Sequence, residues 1–272
     1  MRLLAIETST ERLSLAILRG DDAWVREIDA GQRHSELAIA ELTGLLGDAD
    51  CTLAELDAIA FGRGPGSFVG VRIACGLAQG LALGANKPLV PVVTLMALAE
   101  QADGEHVLVA IDARMGEFYI AAYERSHTEA SGWQAVIAPM LARPDQLPAL
   151  NGVDWCGIGS AFDVPALRTI LADRYSGQLE QVQAGALPSA MHIVRIATRQ
   201  LTRAGMSSAL APELAAPLYL RNQVALTIEE RRLAKAAKDN NSQRVPLPDV
   251  PYERSPVRSA ITRAGVQAVR GV

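Results

Sequence analysis

The sequence predicts an α/β protein with two lobes, each built in the order β-β-β-α-β-α. Apolar runs of strand length alternate with segments in which apolar residues recur at helical spacing. The same order of elements begins a second time near residue 104. Aromatic residues make up 4% of the chain, whereas hydrophobic residues make up 49%. Aliphatic side chains must therefore fill the cores, which favours helices packed on a sheet.

The first lobe is predicted to span residues 1–103. Its strands are expected at 2–7, 12–20, 22–30, 56–62 and 88–93, and its helices at 34–46, 67–85 and 94–101. The polar turn TSTE separates the first two strands. The helices at 34–46 and 67–85 carry more apolar residues than one buried stripe requires.

The second lobe is predicted to span residues 104–225 and repeats this order. Its strands are expected at 106–112, 117–125, 133–138, 153–159 and 179–183, and its helices at 144–150, 164–175 and 188–205. Gly205 comes where a left-handed glycine commonly ends a helix. Duplicated lobes of this pattern are the ribonuclease-H-like organisation of the actin/Hsp70/sugar-kinase superfamily.

Residues 226–272 are predicted to form a flexible, disordered tail, with a short helix considered near 258–270. The stretch VPLPDVPYERSP holds four prolines in twelve residues and few apolar ones. From residue 229 onward, nine Arg or Lys outnumber five Asp or Glu, so this part carries +4 while the whole chain carries −4. The remainder is therefore −8 and binds phosphate backbones poorly. RNA contact is expected only through the tail or a partner.

The cysteines and the N-terminal residues indicate a cytoplasmic protein. The three cysteines stand alone, without the paired spacing of a disulfide framework or a zinc site. The opening MRLLAIETST is too short an apolar run for a secretory signal and is predicted to be a strand. No apolar run approaches the roughly 18 residues that suggest a membrane span.

The segment GRGPGSFVGVRI, residues 62–73, predicts a tight turn followed by a helix. Gly64 and Gly66 permit the turn, and Ser67 stands where a helix N-cap belongs. The exposed amides of such a helix start could instead hold a phosphate. The capping role is favoured, and the segment lacks the GxxxxGK[ST] pattern of a Walker loop.

Acidic residues close the first strand of each predicted lobe. Glu7, followed by Thr8 and Ser9, and Asp112, followed by Arg114, are candidates for an interlobe cleft that handles metal-bound phosphates. The alternative is that both carboxylates satisfy turn amides and that Arg114 pairs with Asp112. This alternative is favoured, so the cleft is predicted to be vestigial.

The sequence offers no clear catalytic or metal-binding set. The four histidines are scattered, none with a second histidine at i+3 or i+4, so no metal site is predicted. GxSxG does not occur, and Cys75 lies in an apolar helix, where a core role is favoured over a nucleophile.

Five segments carry a resemblance to a known family. ETSTERLSLAIL, QRHSELAIAEL, GRGPGSFVGVRIACGLAQGLA, DARMGEFYIAAY and YLRN resemble the TsaB (YeaZ) family in content and order, over roughly residues 1–222. Val69 stands where that family usually has Thr, and Glu7 where it usually has Asp. The tail lies outside the resemblance.

The resemblance implies a non-catalytic scaffold or activator subunit. With a TsaD-type catalytic subunit and a TsaE-type ATPase, it would support the formation of N6-threonylcarbamoyladenosine at position 37 of ANN-decoding tRNAs. ATP and Mg are expected in those partners, and tRNA contact is expected through the complex. The HxxxH metal pair of the TsaD relative is missing from the corresponding segment TLMALAEQ, which argues against catalysis.

The resemblance also implies that the helices at 34–46 and 67–84 form a helical bundle with TsaD or with a second copy. The surplus apolar residues of both helices agree with an interaction surface; alternatively, the two helices cover each other. The candidate interface residues are His34, Leu37, Glu41, Val71, Ala74, Ala78, Leu81 and Ala82.

Two other functions stay open. The chain could be a self-sufficient kinase or acyl-phosphate enzyme of the same superfamily, using Glu7 and Asp112 on Mg-ATP. A glycoprotease-like peptidase is less favoured, because the sequence shows neither a nucleophile nor a metal centre for it.

Overall fold

The computed structural model describes residues 1–221 and the backbone of residues 267–270. Met1–Leu220 form one compact unit together with Gln267–Arg270. Residues 222–266 and 271–272, which include most of the tail predicted at 226–272, lie outside the described residues. Gln267–Arg270 form a strand, so the helix considered near 258–270 is wrong for these four residues.

The first sheet has five strands from the first lobe. They are β1 (Arg2–Glu7), β2 (Arg12–Arg19), β3 (Asp22–Asp29), β4 (Ala58–Gly62) and β5 (Leu89–Val92), in the order β3-β2-β1-β4-β5. β1 is antiparallel to β2 and parallel to β4. Strands β1 and β4 are almost wholly buried, which explains their continuous apolar runs. Gln267–Arg270 pairs with the outer edge of β3.

Two helices of the first lobe share a core with this sheet. Helix α1 (His34–Asp48) buries Ala38, Leu42 and Leu45, and helix α2 (Phe68–Ala85) buries Ala74, Ala78 and Ala82 in the same apolar cluster. The small side chains of α2 let its backbone lie close to the sheet and to α1.

The second sheet repeats the strand order of the first. Its strands are β6 (His106–Asp112), β7 (Phe118–Arg125), β8 (Trp133–Ala142), β9 (Trp155–Gly159) and β10 (Leu179–Ala184), in the order β8-β7-β6-β9-β10. The central strand is antiparallel to β7 and parallel to β9. The predicted α/β fold with two ribonuclease-H-like lobes is therefore confirmed.

The helices of the second lobe differ from the prediction at one place. Helix α4 (Pro165–Arg174) packs on the second sheet as expected. The predicted helix at 144–150 is wrong, because only the short 3-10 turn Pro144–Gln146 forms there. Pro148 explains why no longer helix forms. In an α-helix its ring would clash with the carbonyl group of residue 144, and it has no amide N–H to donate.

The packing of two further helices crosses the predicted boundary between residues 103 and 104. Helix α3 (Thr94–Ala99) belongs to the first lobe in sequence, but Leu95, Leu98 and Ala99 lie in the core of the second sheet, while Ala97 lies in the core of the first. Helix α5 (Ala190–Ala204) follows the last strand of the second lobe, yet its apolar residues lie in the core of the first sheet. Gly205 ends α5 with a φ of 80°, as predicted.

An ionic cluster joins elements of both lobes around Glu100, just after α3. The Glu100 carboxylate accepts hydrogen bonds from Trp133 Nε1 at 2.6 Å and from Arg199 Nη1 of α5 at 2.8 Å. Arg125 of β7 lies 3.5 Å from the same carboxylate and 4.0 Å from the Trp133 ring centroid. The Glu100 side chain is only 6% exposed, so these contacts tie α3, α5 and the β7–β8 hairpin together.

The chain after α5 returns to the first lobe as a strap over residues 209–220. Leu210 pairs with Leu89 at the edge of β5. Gln79 of α2 donates hydrogen bonds to the carbonyl oxygens of Pro212 at 3.0 Å and Ala215 at 3.1 Å. The strap therefore covers one flank of α2.

Candidate functional site

The polar groups of the first hairpin, between β1 and β2, form hydrogen bonds with other parts of the chain. Glu7 is fully buried and accepts hydrogen bonds from the Ser9 amide and from Thr94 Oγ1, the latter at 3.1 Å. Thr8 Oγ1 donates to the carbonyl oxygen of Gly70 at 2.7 Å. The Ser67 amide donates to the carbonyl oxygen of Ser9 at 2.7 Å. The Glu7 carboxylate, the Thr8 hydroxyl and the Ser9 carbonyl oxygen thus form hydrogen bonds within the chain, whereas the buried Ser9 Oγ forms none with the described residues.

Glycines make this closure possible. A Cβ atom at Gly62 would overlap the Glu7 carboxylate, and one at Gly70 would overlap the Thr8 carbonyl group. Gly66 likewise packs against Ser9. The glycine spacing of the GRGPGSFVG segment therefore serves close packing against the first hairpin, where a side chain would not fit.

The helix-cap loop has the predicted geometry. Ser67 Oγ accepts a long hydrogen bond of 3.4 Å from the amide of Gly70, and α2 begins at the next residue. Gly64 has a φ of 101°, a conformation that side chains rarely adopt, and its amide donates to Thr94 Oγ1 at 3.1 Å. Thr94 thus links the loop to Glu7, so the loop, the hairpin and α3 form one hydrogen-bonded unit.

The buried position of Glu7 shifts the pKa of its carboxyl group. Burial raises the pKa of Glu7, and hydrogen bonds from Ser9 and Thr94 act in the opposite direction without cancelling the effect. A carboxylate that holds hydrated Mg²⁺ must reach water and keep its charge. The Glu7 carboxylate instead accepts hydrogen bonds from protein groups, one of them the Ser9 amide of the turn that follows β1.

The second hairpin is satisfied locally as well. Asp112 accepts a hydrogen bond from the Arg114 amide at 2.7 Å, and Arg114 Nη1 lies 3.5 Å from its second oxygen. Arg114 and Met115 take positive φ angles of 66° and 58° and form the tight turn. The Arg114 side chain is 83% exposed, whereas that of Asp112 is 17% exposed. Glu7 and Asp112 are therefore each held within their own lobe.

The described residues hold no group of three His, Cys, Asp or Glu side chains that could bind a metal ion. His34 is buried at the start of α1, and burial lowers the pKa of His192 on α5 to about 4. Burial raises the pKa of all three cysteine thiols, which disfavours the thiolate that a nucleophile requires.

Most of the predicted interface residues lie inside the chain. His34, Val71, Ala74, Ala78 and Ala82 are at most 4% exposed, and the three alanines form part of the core between α1, α2 and the first sheet. They cannot touch a partner in this structure, and the prediction for these five is corrected. The stripe of small residues was assigned to a partner because its period alone does not say which neighbour it faces.

The other three predicted interface residues are partly accessible. Leu37 and Leu81 are half-buried and pack against the edge of the core. Glu41 is already paired with Arg26 of β3, whose Nη1 lies 2.9 Å from the Glu41 carboxylate. These three residues lie at the edge of the surface that α1 and α2 expose, and each is only partly accessible.

The exposed side of α2 is apolar apart from Arg72; the sequence predicted a surplus apolar face on this helix but did not identify its residues. We call it the outer face of α2; it consists of Val69, Ile73, Gly76, Gly80, Leu83 and Gly84. Val69 is 62% exposed and Leu83 is 64% exposed. A Cβ atom at Gly76, Gly80 or Gly84 would have no neighbour within 4 Å. The expectation that no apolar run approaches the length of a membrane span is corrected here, because α2 is long and apolar enough to cross one, although its opposite face is built into the core.

Known proteins resemble the chain over most of its length. The family model described as TsaD, tRNA N6-adenosine threonylcarbamoyltransferase, matches residues 28–239. The tRNA threonylcarbamoyladenosine biosynthesis protein TsaB of Haemophilus influenzae is 34% identical over 238 residues, which cover 82% of this chain and 95% of that protein. The Escherichia coli protein of the same name is 36% identical over 235 residues, covering 83% and 96%. The chain belongs to the TsaB family.

Solved structures of TsaB-family proteins have the same fold. YeaZ from Pseudomonas aeruginosa superposes with a TM-score of 0.70 and 32% identity, over 80% of this chain and 99% of that chain. A second Pseudomonas aeruginosa structure, described as an uncharacterized protein with similarity to peptidase YEAZ, gives a TM-score of 0.72 and 32% identity, over 81% and 99%. About a fifth of this chain therefore has no counterpart in these structures.

Sequence reasoning about this TsaB-family chain missed Thr94 and the residues that form the outer face of α2. No local motif marks Thr94, because it contacts Glu7 across 87 positions of sequence. The outer face had a signal, since Gly76, Gly80 and Gly84 recur every four residues. The buried stripe of alanines shows the same period, and only the packing shows which stripe is exposed.

Proposed function

We propose that the chain is a non-catalytic scaffold subunit for the biosynthesis of threonylcarbamoyladenosine in tRNA. It would act with a TsaD-type catalytic subunit and a TsaE-type ATPase, in the cytoplasm, and would contact tRNA only as part of the complex. The names of its TsaB relatives support the pathway. The apolar outer face of α2 supports the scaffold role.

The outer face of α2 has the properties of a helix-docking surface. Leu83 and Val69 expose large apolar groups, and covering them with a partner would be favourable by about 25 cal/mol per Å² of apolar surface. Gly76 and Gly80 leave the helix backbone open between them, so a second helix can approach closely. We infer that a helix of the TsaD-type subunit lies along this face; a second copy of this chain is the competing occupant.

The closed hairpins support the absence of catalysis by this chain. A kinase or acyl-phosphate enzyme would need Glu7 and Asp112 free for Mg-ATP, but both accept hydrogen bonds from nearby protein groups. ATP and Mg would then bind in the partner subunits. A peptidase is disfavoured by the buried cysteines with raised thiol pKa values.

Gly80→Glu tests the docking surface without weakening the helix. Glu has a higher helix propensity than Gly, by about 0.5 kcal/mol or more, and its side chain meets no neighbour at this position. The variant should therefore fold and melt at or above the temperature of the native chain, while a charge buried at the interface blocks docking. We expect it to lose co-purification with the TsaD-type subunit of the same organism.

Val182→Glu provides the matched control. Val182 is 48% exposed on β10 of the second lobe, so a Glu there changes the charge equally but away from the outer face. It should bind the TsaD-type subunit like the native chain. Undiminished binding by a folded Gly80→Glu variant would refute the assignment of this face.

A further inference from the structure

Arg72 lies at the N-terminal end of the outer face of α2, stacked between two aromatic side chains. Its guanidinium carbon is 3.2 Å from the ring centroid of Phe68 and 4.8 Å from that of Tyr219. The two rings are 6.1 Å apart, and they are 44% and 45% exposed. We call these three residues the Arg72 cluster.

Arg72 is the only charged residue of α2. Among residues 1–221, no carboxylate forms an ion pair with it, and its guanidinium donates a hydrogen bond to the Phe68 carbonyl oxygen at 3.1 Å. By contrast, Arg26, Arg125 and Arg199 each pair with a carboxylate. A partner that covers the outer face would remove Arg72 from water, which is costly unless the partner supplies a compensating anion.

The cluster is held in place before any partner arrives. Tyr219 belongs to the strap, whose Leu218 amide donates to the Arg63 carbonyl oxygen at 2.7 Å. Gln79 of α2 fixes the same strap further along the helix. Because the stack is pre-organised, docking on it loses little side-chain entropy.

A second copy of this chain is a poor source of the missing anion. Helix α2 carries no acidic residue. The acidic residues of α1 are already paired, Glu36 with Arg33 at 3.0 Å and both Glu41 and Asp48 with Arg26. In a symmetric pairing of α2 helices, each copy would bring another unpaired Arg72 to the interface.

We propose that the Arg72 cluster selects the heteromeric partner over a second copy by binding a carboxylate on the docking helix of the TsaD-type subunit. This inference rests on the proposed function. Phe, Tyr and Arg side chains in a pre-formed cluster are typical of the few residues that dominate binding free energy. A phosphate of tRNA is the less favoured anion, because residues 1–228 carry a net charge of −8 and the surrounding face is apolar.

Arg72→Gln and Arg72→Lys separate charge from stacking. The affinity of the full chain for the TsaD-type subunit would be measured by calorimetry at 50 and 300 mM NaCl, and self-association by sedimentation. Arg72→Gln should weaken heteromeric binding by about 30-fold or more at low salt, the lower end of the effect of removing one partner of a buried charge pair. It should also abolish the salt dependence while leaving self-association unweakened. Arg72→Lys keeps the charge but loses the planar stack, so its affinity for the TsaD-type subunit should lie between those of the native chain and Arg72→Gln.

Arg168→Gln, an exposed arginine on α4, is the matched control and should bind like the native chain. Heteromeric binding by Arg72→Gln within two-fold of native would overturn the inference. So would an equal loss of self-association, or an effect confined to tRNA binding by the assembled complex. If Gly80→Glu abolishes binding while Arg72→Gln does not, docking on the outer face of α2 is supported and the carboxylate bound by Arg72 is refuted. If neither variant affects binding, both proposals are refuted.

Discussion

Gly70 is a residue at which helix propensity and packing favour opposite outcomes. Replacing a helical glycine with alanine ordinarily stabilises a protein by up to about 1 kcal/mol. At Gly70, however, the new Cβ would overlap the carbonyl group of Thr8. We therefore expect Gly70→Ala to lower the free energy of unfolding by about 1–3 kcal/mol, the usual cost of overpacking, in urea unfolding followed by circular dichroism.

Gly80→Ala is the control on the same helix. Nothing lies within 4 Å of its added Cβ, so the propensity gain of about 0.5–1 kcal/mol should appear unopposed. Equal stabilities of the two alanine variants would show that the first hairpin is not closed by α2.

The Glu100 cluster, which joins α3 to α5, should make the stability of the fold depend on pH. Burial by itself raises the pKa of Glu100, but hydrogen bonds from Arg199 and Trp133 and the charges of Arg199 and Arg125 outweigh it, so the pKa is lowered. A lowered carboxyl pKa stabilises the fold at pH values above the unfolded value of about 4.3. This contribution is lost as the pH falls through the folded pKa.

Glu100→Gln should therefore cost about 2–3 kcal/mol at pH 7. This is below the 3–5 kcal/mol of a fully buried pair, because both arginines stay about 30% exposed. The difference from the native chain should shrink below pH 4 in urea titrations. Glu36→Gln removes an exposed pair at the start of α1, with side chains 62% and 65% exposed, and should leave the stability nearly unchanged. A Glu100 effect independent of pH would contradict this account.

Except for Gln267–Arg270, the strands were predictable because most of them are local apolar patterns. The two-lobe organisation followed from the repeated β-β-β-α-β-α pattern, and the cap role of Ser67 from its place before a long helix. The contacts of Thr94 and Glu100 were not predictable, since they join positions far apart in sequence. For α2, periodicity showed two stripes of small residues, and which of them meets solvent depends on where α1 and the sheet lie.

As an intact molecule, the chain should not bind nucleotide by itself. Calorimetric titration with Mg-ATP should give no saturable heat up to about 1 mM, a limit that corresponds to about −4 kcal/mol, because both hairpin carboxylates and the Thr8 hydroxyl are already hydrogen-bonded. The TsaE-type ATPase is the positive control. Tight binding by the isolated chain would favour the kinase alternative. Formation of the modified nucleoside by the partners in the absence of this chain would contradict the scaffold role.

The exchange of α3 and α5 between the two sheets limits how the gene can be divided. A cut between codons 103 and 104 would not release two domains, because each fragment would carry a helix that belongs on the other fragment and would expose one face of its own sheet. The two fragments produced together could still restore the native packing across α3, α5 and Glu100. The chain is thus suited to split-protein complementation, with reassembly reported by the return of a single cooperative unfolding transition.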